Sequence, residues 1–231
     1  LDAHRNHGTF IAKSLGDVFA ALTDAGEAKA YGMVHAYAAH HLAQWPQLAN
    51  PTTPPIVVNI VRHPVTRIES LMRQLMHETK FSNGVKDNLD HHFDAYVDPA
   101  VRSDICARPG VDYTELKTRA FIYATASVLV FDTMDLALDF RHLAMEQLVV
   151  DRDLFAWLIG HLSGGAASAS TDYLEKVFSM GQRNHHVHPI SAAERFARWS
   201  PWQADITKLL LEKHDAENLY RHFGFDFSFL R

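Results

Sequence analysis

Cysteine is almost missing from this chain: Cys106 stands alone among 231 residues. A single thiol closes no intramolecular disulfide and supplies no thiolate cage for a metal, a usage that fits a reducing compartment. Long apolar runs are lacking too. No stretch reaches the roughly 18 residues that a membrane span requires, so no span is expected. Basic charge is in deficit, with 22 Lys and Arg against 27 Asp and Glu and a formal charge of −5 with histidine neutral. That balance argues against nucleic acid or an anionic membrane as a partner and leaves room only for a local basic cleft. Neither an internal repeat, a low-complexity tract nor a linker rich in Pro, Gly or Ser divides the sequence, so one domain over residues 1–231 is expected. The Gly-x-Ser-x-Gly elbow of a serine hydrolase and the His-Glu-x-x-His element of a zinc protease are both absent.

What is present is ordinary in bulk and unusual in one respect. Hydrophobic residues make up 47% and charged residues 21%, a globular composition with enough apolar surface for a core without staples. Histidine is abundant, at 16 residues, and some of it is paired: His40-His41, His91-His92 and His185-His186 with His188. Neighbouring side chains on a helix point apart and no cysteine cluster joins them, so no metal site is expected.

Residues 10–25 place Phe10, Ile11, Leu15, Val18, Phe19 and Leu22 on one helical stripe, with Gly26 as a stop. Ala30 to Ala38 reads as a strand, and the prolines at 51, 54 and 55 force a loop. Ile56 to Val61 is the clearest element. It is β-branched except for Asn59 and reads as a strand buried on both faces, as in a parallel sheet. After Arg62-His63-Pro64, the spacing of Ile68, Leu71, Met72 and Leu75 predicts a helix over 65–78. Residues 79–112 read as a surface excursion with turns at Asn83-Gly84 and Pro109-Gly110. Further expectations are a helix over 115–130, a short strand over 139–145 and an amphipathic helix over 151–162 stopped by Gly164-Gly165. They continue with a polar loop over 181–189 and helix over 194–223, weak at Ser200-Pro201. Met72, Met76, Trp157, Trp199 and Trp202 are expected to pack inside. Alternating strands and helices predict an α/β domain with a mainly parallel sheet.

In such sheets ligands bind where strands run out into helices. Arg62 follows the strongest strand, and Ser70 lies eight residues on; a guanidinium fork and a hydroxyl suit a phosphate. The segment Val57-Val-Asn-Ile-Val-Arg62-His-Pro64-Val-Thr-Arg67-Ile-Glu-Ser70 resembles the 3′-phosphate-binding segment of the sulfotransferases that use 3′-phosphoadenosine 5′-phosphosulfate (PAPS), with a flavour nearest to the uronosyl and heparan 2-O-sulfotransferases. Arg5-Asn6-His7-Gly8-Thr9 stands where the family carries its phosphate loop. Arg5 occupies the lysine position and His7 that of a small residue, and the strand before the loop is reduced to Leu1-Asp2-Ala3-His4. Phe140 to Phe155, with Glu146, is similar to the family's late strand, acidic residue and helix. Gly181-Gln-Arg183-Asn184 resembles its late nucleotide loop, and the aromatic tail after Tyr220 resembles its C-terminus.

The resemblance implies a three-layer, P-loop NTPase-like α/β fold with helices flanking a central, mainly parallel sheet. It implies PAPS as donor and 3′-phosphoadenosine 5′-phosphate as product. By the same carry-over, Arg62 and Ser70 bind the 3′-phosphate, and Arg5, Asn6, His7, Gly8 and Thr9 hold the 5′-phosphosulfate. Arg5 also stabilises developing charge there, and Arg183 and Asn184 reach the nucleotide. His35 falls where the 2-O-sulfotransferases place their base, although alignment on Gly32 would put Met33 there. The acceptor is expected to be a hydroxyl-bearing small molecule, lipid or modestly charged glycan, because the acidic balance disfavours a highly anionic polymer. The departures at Arg5 and His7 leave a second reading open, a non-catalytic nucleotide-binding or interaction module on the same fold. The expected location is cytoplasmic, or the Golgi lumen should an N-terminal anchor have been removed.

Overall fold

The structure is a computed structural model that describes residues 56–78, 97–183 and 190–230. Among them the chain is mixed α/β and mostly helical, with one small parallel sheet. β1 (Val58–Val61) leads into α1 (Pro64–Glu78), α2 (Pro99–Cys106), α3 (Leu116–Leu136) and β2 (Arg141–Ala144). Then come α4 (Met145–Leu148), α5 (Arg152–Leu162), α6 (Thr171–Arg183), α7 (Ala192–Phe196), α8 (Pro201–Lys213), α9 (Ala216–Leu219) and two 3₁₀ turns, Arg221–Phe223 and Ser228–Leu230. The residues group into two compact units, a strand unit of Leu1–Val61 and Met134–His188 and a helical unit of Arg62–Thr133 and Pro189–Arg231.

In the strand unit β1 and β2 pair in parallel, with Val58 opposite Arg141 and Val61 opposite Ala144. Parallel neighbours need a long crossover, which the chain supplies through α1 to α3. Asn59, the one polar residue of the β-branched run, sits opposite His142, and its amide donates to His142 Nδ1 at 3.2 Å while Nε2 donates to the Leu138 carbonyl at 3.0 Å. The side chain that breaks the apolar pattern therefore ties the two strands together. The expectation of burial on both faces fails: Val61 is buried, whereas Ile60 is 40% exposed, and β1 has one strand partner among the described residues. Ile56 and Val57 lie before the strand. α5 starts as its sequence requires, with the Asp151 carboxylate accepting from the Leu154 N–H at 2.9 Å, and stops where Gly164 and Gly165 adopt positive φ. Trp157, expected inside, is 40% exposed, stacked on His161 one turn on, with the Arg141 guanidinium 5.2 Å from its ring centre.

The helical unit is organised around α3, whose residues from Thr118 to Leu129 are almost all buried. Such a helix has no water-facing side, and its hydroxyls bond back to its own carbonyls: Thr125 Oγ1 to Phe121 O at 2.9 Å and Ser127 Oγ to Ala124 O at 3.3 Å. The predicted stripe of α1 packs there, with Ile68, Leu71, Met72 and Leu75 in one cluster with Ala120, Phe121, Ala124 and Val128. Trp199 and Trp202 meet Phe121 edge-on at 5.1 and 5.4 Å, and with Met72 and Met76 they pack as expected. Burial of this order, at about 25 cal/mol per Å² of apolar surface, is what holds short helices in place.

Several boundaries differ from the sequence reading, and the helix expected over 115–130 runs on to Leu136. Residues 99–106 form α2 rather than irregular surface: Asp98 accepts from the Ala100 N–H at 2.8 Å, Pro99 takes the first helical position and Ile105 is fully buried. α6 continues through Gly181 and Gln182 to Arg183, so the late loop begins later than residue 181. The helix expected over 194–223 is interrupted. α8 restarts at Pro201 behind a box in which Gln203 Oε1 accepts from the Ser200 N–H and hydroxyl, and Asp215, at φ 47°, separates α8 from α9.

Candidate functional site

The site begins at the turn between β1 and α1. His63 caps α1: its carbonyl accepts from the Arg67 N–H at 3.0 Å and its Nδ1 accepts from the Val65 N–H at 3.3 Å, while its Nε2 donates to the Asp226 carbonyl at 3.2 Å. With one nitrogen accepting and the other donating, the ring is the neutral Nε2–H tautomer. Phe225, Phe227 and Phe229 surround it with ring centres 5.0 to 5.9 Å away, and it is buried. The Asp226 carboxyl is held below the usual carboxylate range because the Ser228 N–H and hydroxyl donate to it.

This cap decides what α1 offers an anion. Pro64 has no N–H and that of Val65 is spent on His63, so backbone donors at this helix start are few. What the turn does offer is Arg62. It is half-buried and makes no hydrogen bond, ion pair or ring contact among the described residues. Its neighbours on the helix are committed. Arg67 pairs with Asp132, a buried carboxylate that also accepts from the Tyr220 hydroxyl at 2.5 Å, and Glu69 pairs with Arg195 and accepts from the Trp199 indole N–H at 3.3 Å. Ser70 is exposed on the second turn of α1 and is likewise without a partner among the described residues. At a rise of 1.5 Å per residue, Ser70 stands about 9 Å along the axis from Pro64, so an anion touching both groups would lie alongside the first two turns of α1.

Both Arg62 and Ser70, then, have capacity to spare. Arg67, the second arginine of the quoted segment, is structural. Of the other sequence-predicted residues, Arg5, Asn6, His7, Gly8, Thr9, His35 and Asn184 lie outside the described residues, as do the histidine pairs at 40–41, 91–92 and 185–186. Arg183 is the last residue of α6. Among the described residues no three His, Cys, Asp or Glu side chains converge as a metal site would need, and no helix is long and apolar enough to cross a membrane.

Sequence reading missed the constellation beside Ser70. Glu69, Met72 and Arg73 from α1, Phe121 from α3, and Trp199 and Gln203 line a cavity of about 190 Å³. The i, i+4 spacing of Glu69 and Arg73 was its one local signal; the aromatic floor comes from residues far along the chain. No protein-family model, curated protein or solved structure matches this chain.

Proposed function

We propose that this protein is a PAPS-dependent sulfotransferase on a three-layer, P-loop-like α/β domain, with Arg62 and Ser70 as the residues that hold the 3′-phosphate. The observation that carries the reading is the half-buried Arg62, without a partner among the described residues, directly after a strand in parallel pairing, while Arg67 beside it is engaged in an ion pair. A guanidinium kept without a carboxylate partner fits a phosphate, and the exposed Ser70 hydroxyl fits as a second donor. PAPS supplies an activated sulfuryl group, whose sulfur bonds to the acceptor oxygen as its bond to the phosphate oxygen breaks. The chain's own part is to bind and orient. Arg5, with the backbone of Asn6 to Thr9, holds the 5′ side, Arg183 and Asn184 reach the nucleotide, and His35 takes the proton of the acceptor hydroxyl. The acceptor is a hydroxyl-bearing small molecule, lipid or modestly charged glycan.

Calorimetry with 3′-phosphoadenosine 5′-phosphate tests this. Arg62→Ala should lose roughly 2–3 kcal/mol of affinity and Ser70→Ala about 1 kcal/mol. Neither variant should weaken adenosine 5′-phosphosulfate, which has no 3′-phosphate; equal losses for both ligands defeat the assignment. The departures at Arg5 and His7 support a second reading, a nucleotide-binding module without turnover. Binding with no sulfated product across a panel of hydroxyl acceptors would favour it, and a His35→Ala enzyme with unchanged kcat would remove His35 as the base.

A further inference from the structure

We infer that the cavity between α1, α3 and α8 is a binding site for a single-ring aromatic carboxylate. Its volume, about 190 Å³, is of the scale that takes one benzene-sized ring, for which about 150 Å³ suffices. Its floor is aromatic and apolar: Phe121 is 2% exposed, Trp199 stands edge-on to it, and Met72 packs against the same cluster. A planar ring meets offset and edge contacts on such a floor.

The rim selects the charge. Glu69, one turn before Arg73, would ordinarily pair with it at i, i+4. Here both Glu69 oxygens are engaged, one by Arg195 and the other by the Trp199 indole N–H. Arg73 is left exposed, with no partner among the described residues. Gln203 is biased the same way, since its Oε1 already accepts from the Ser200 N–H and hydroxyl and its amide N–H groups remain to donate. The one carboxylate of the lining is neutralised and the spare groups are donors, so the cavity matches a ring bearing an anionic acceptor. A guanidinium meets a carboxylate through two parallel hydrogen bonds, which makes Arg73 the anchor. Neither Arg62 nor Ser70 lines this cavity, so the inference is independent of the sulfotransferase reading.

The test is titration of the full chain, nitrogen-labelled, with sodium benzoate while following the Trp199 indole N–H resonance. Benzoate should shift that resonance saturably. Benzylamine, with the ring and the opposite charge, and acetate, with the charge and no ring, should leave it in place. Arg73→Ala removes an exposed side chain that has no partner among the described residues and should leave the fold intact; it should weaken benzoate by about tenfold or more. No shift with benzoate, an equal response to benzylamine, or unchanged benzoate affinity in Arg73→Ala would each overturn the assignment.

Discussion

The helical and strand units use the same kinds of residue differently. In the helical unit large side chains are sunk and tied: Ile68, Ile105, Ile122, Leu129, Ile206 and Tyr220 are essentially inaccessible, and two ion pairs with hydrogen-bonded aromatic partners join α1 to later parts of the chain. In the described part of the strand unit Val149, Val150, Trp157, Leu162 and Tyr173 are exposed, and α5 has no fully buried residue. Its order comes from the ladder between β1 and β2, the Asn59–His142 bond, helix caps and ring contacts near the surface. An apolar residue contributes stability through what covers it, so side chains of similar size should matter very differently in the two units.

The sharpest way to break that comparison is truncation. Phe121→Ala should cost about 3–5 kcal/mol in chemical denaturation, through lost burial and the cavity left under Trp199 and Trp202. Asp132→Ala should cost about 3 kcal/mol or more, because it removes the one buried carboxylate that both the Arg67 guanidinium and the Tyr220 hydroxyl bond. A stable Asp132→Ala protein would mean that this tie is dispensable and the helical unit rests on apolar packing alone.

A smaller effect comes from Tyr123, whose phenol is pushed up to about 12 by burial, against a smaller opposing contribution from its hydrogen bond to Ser127. In the unfolded chain the phenol ionises near pH 10, so the unfolded state sheds its proton first and stability falls as pH rises from about 10 toward 12. Wild type should lose about 1.4 kcal/mol more than Tyr123→Phe between pH 9 and pH 11, read from urea unfolding at each pH. Equal losses would show that Tyr123 is not the group responsible. The smallest effect belongs to the other unit: Trp157→Ala should change stability by no more than about 0.5 kcal/mol. A loss approaching that of Phe121→Ala would erase the distinction between the units.

Local chemistry was legible in the sequence wherever one segment carried the whole signal. β1 and α1 followed from a β-branched run and a four-residue apolar stripe, and the end of α5 from paired glycines. α2 was missed because the polar composition around it outweighed one buried side chain, Ile105, although Asp98-Pro99 is a helix start by its own chemistry. Helix was expected across 194–223 with a weak point at Ser200-Pro201, where the Ser200 capping box does restart it, but the second break at Asp215, at φ 47°, was not read. At the candidate site Arg62 and Ser70 were readable as phosphate ligands in kind. That Arg67 is engaged and Arg62 is not could not be read, since Asp132 lies 65 residues beyond Arg67. The same distance in sequence hid the cavity beside Glu69, whose Arg195 partner is 126 residues away.

The rings that enclose His63 sit at residues 225, 227 and 229, so the first helix after β1 is finished by residues made about 163 positions later. During synthesis a ribosome must first add all of Met134–His188, on the order of several seconds of elongation, before the second stretch of the helical unit begins to emerge. Throughout that interval the nascent chain carries Phe121, the α1 stripe and His63 without Trp199, Trp202 or the phenylalanine tail to cover them. A chain stalled before Pro189 would present a sticky aromatic surface to chaperones and proteases, which makes the timing of translation part of how this protein reaches its folded state.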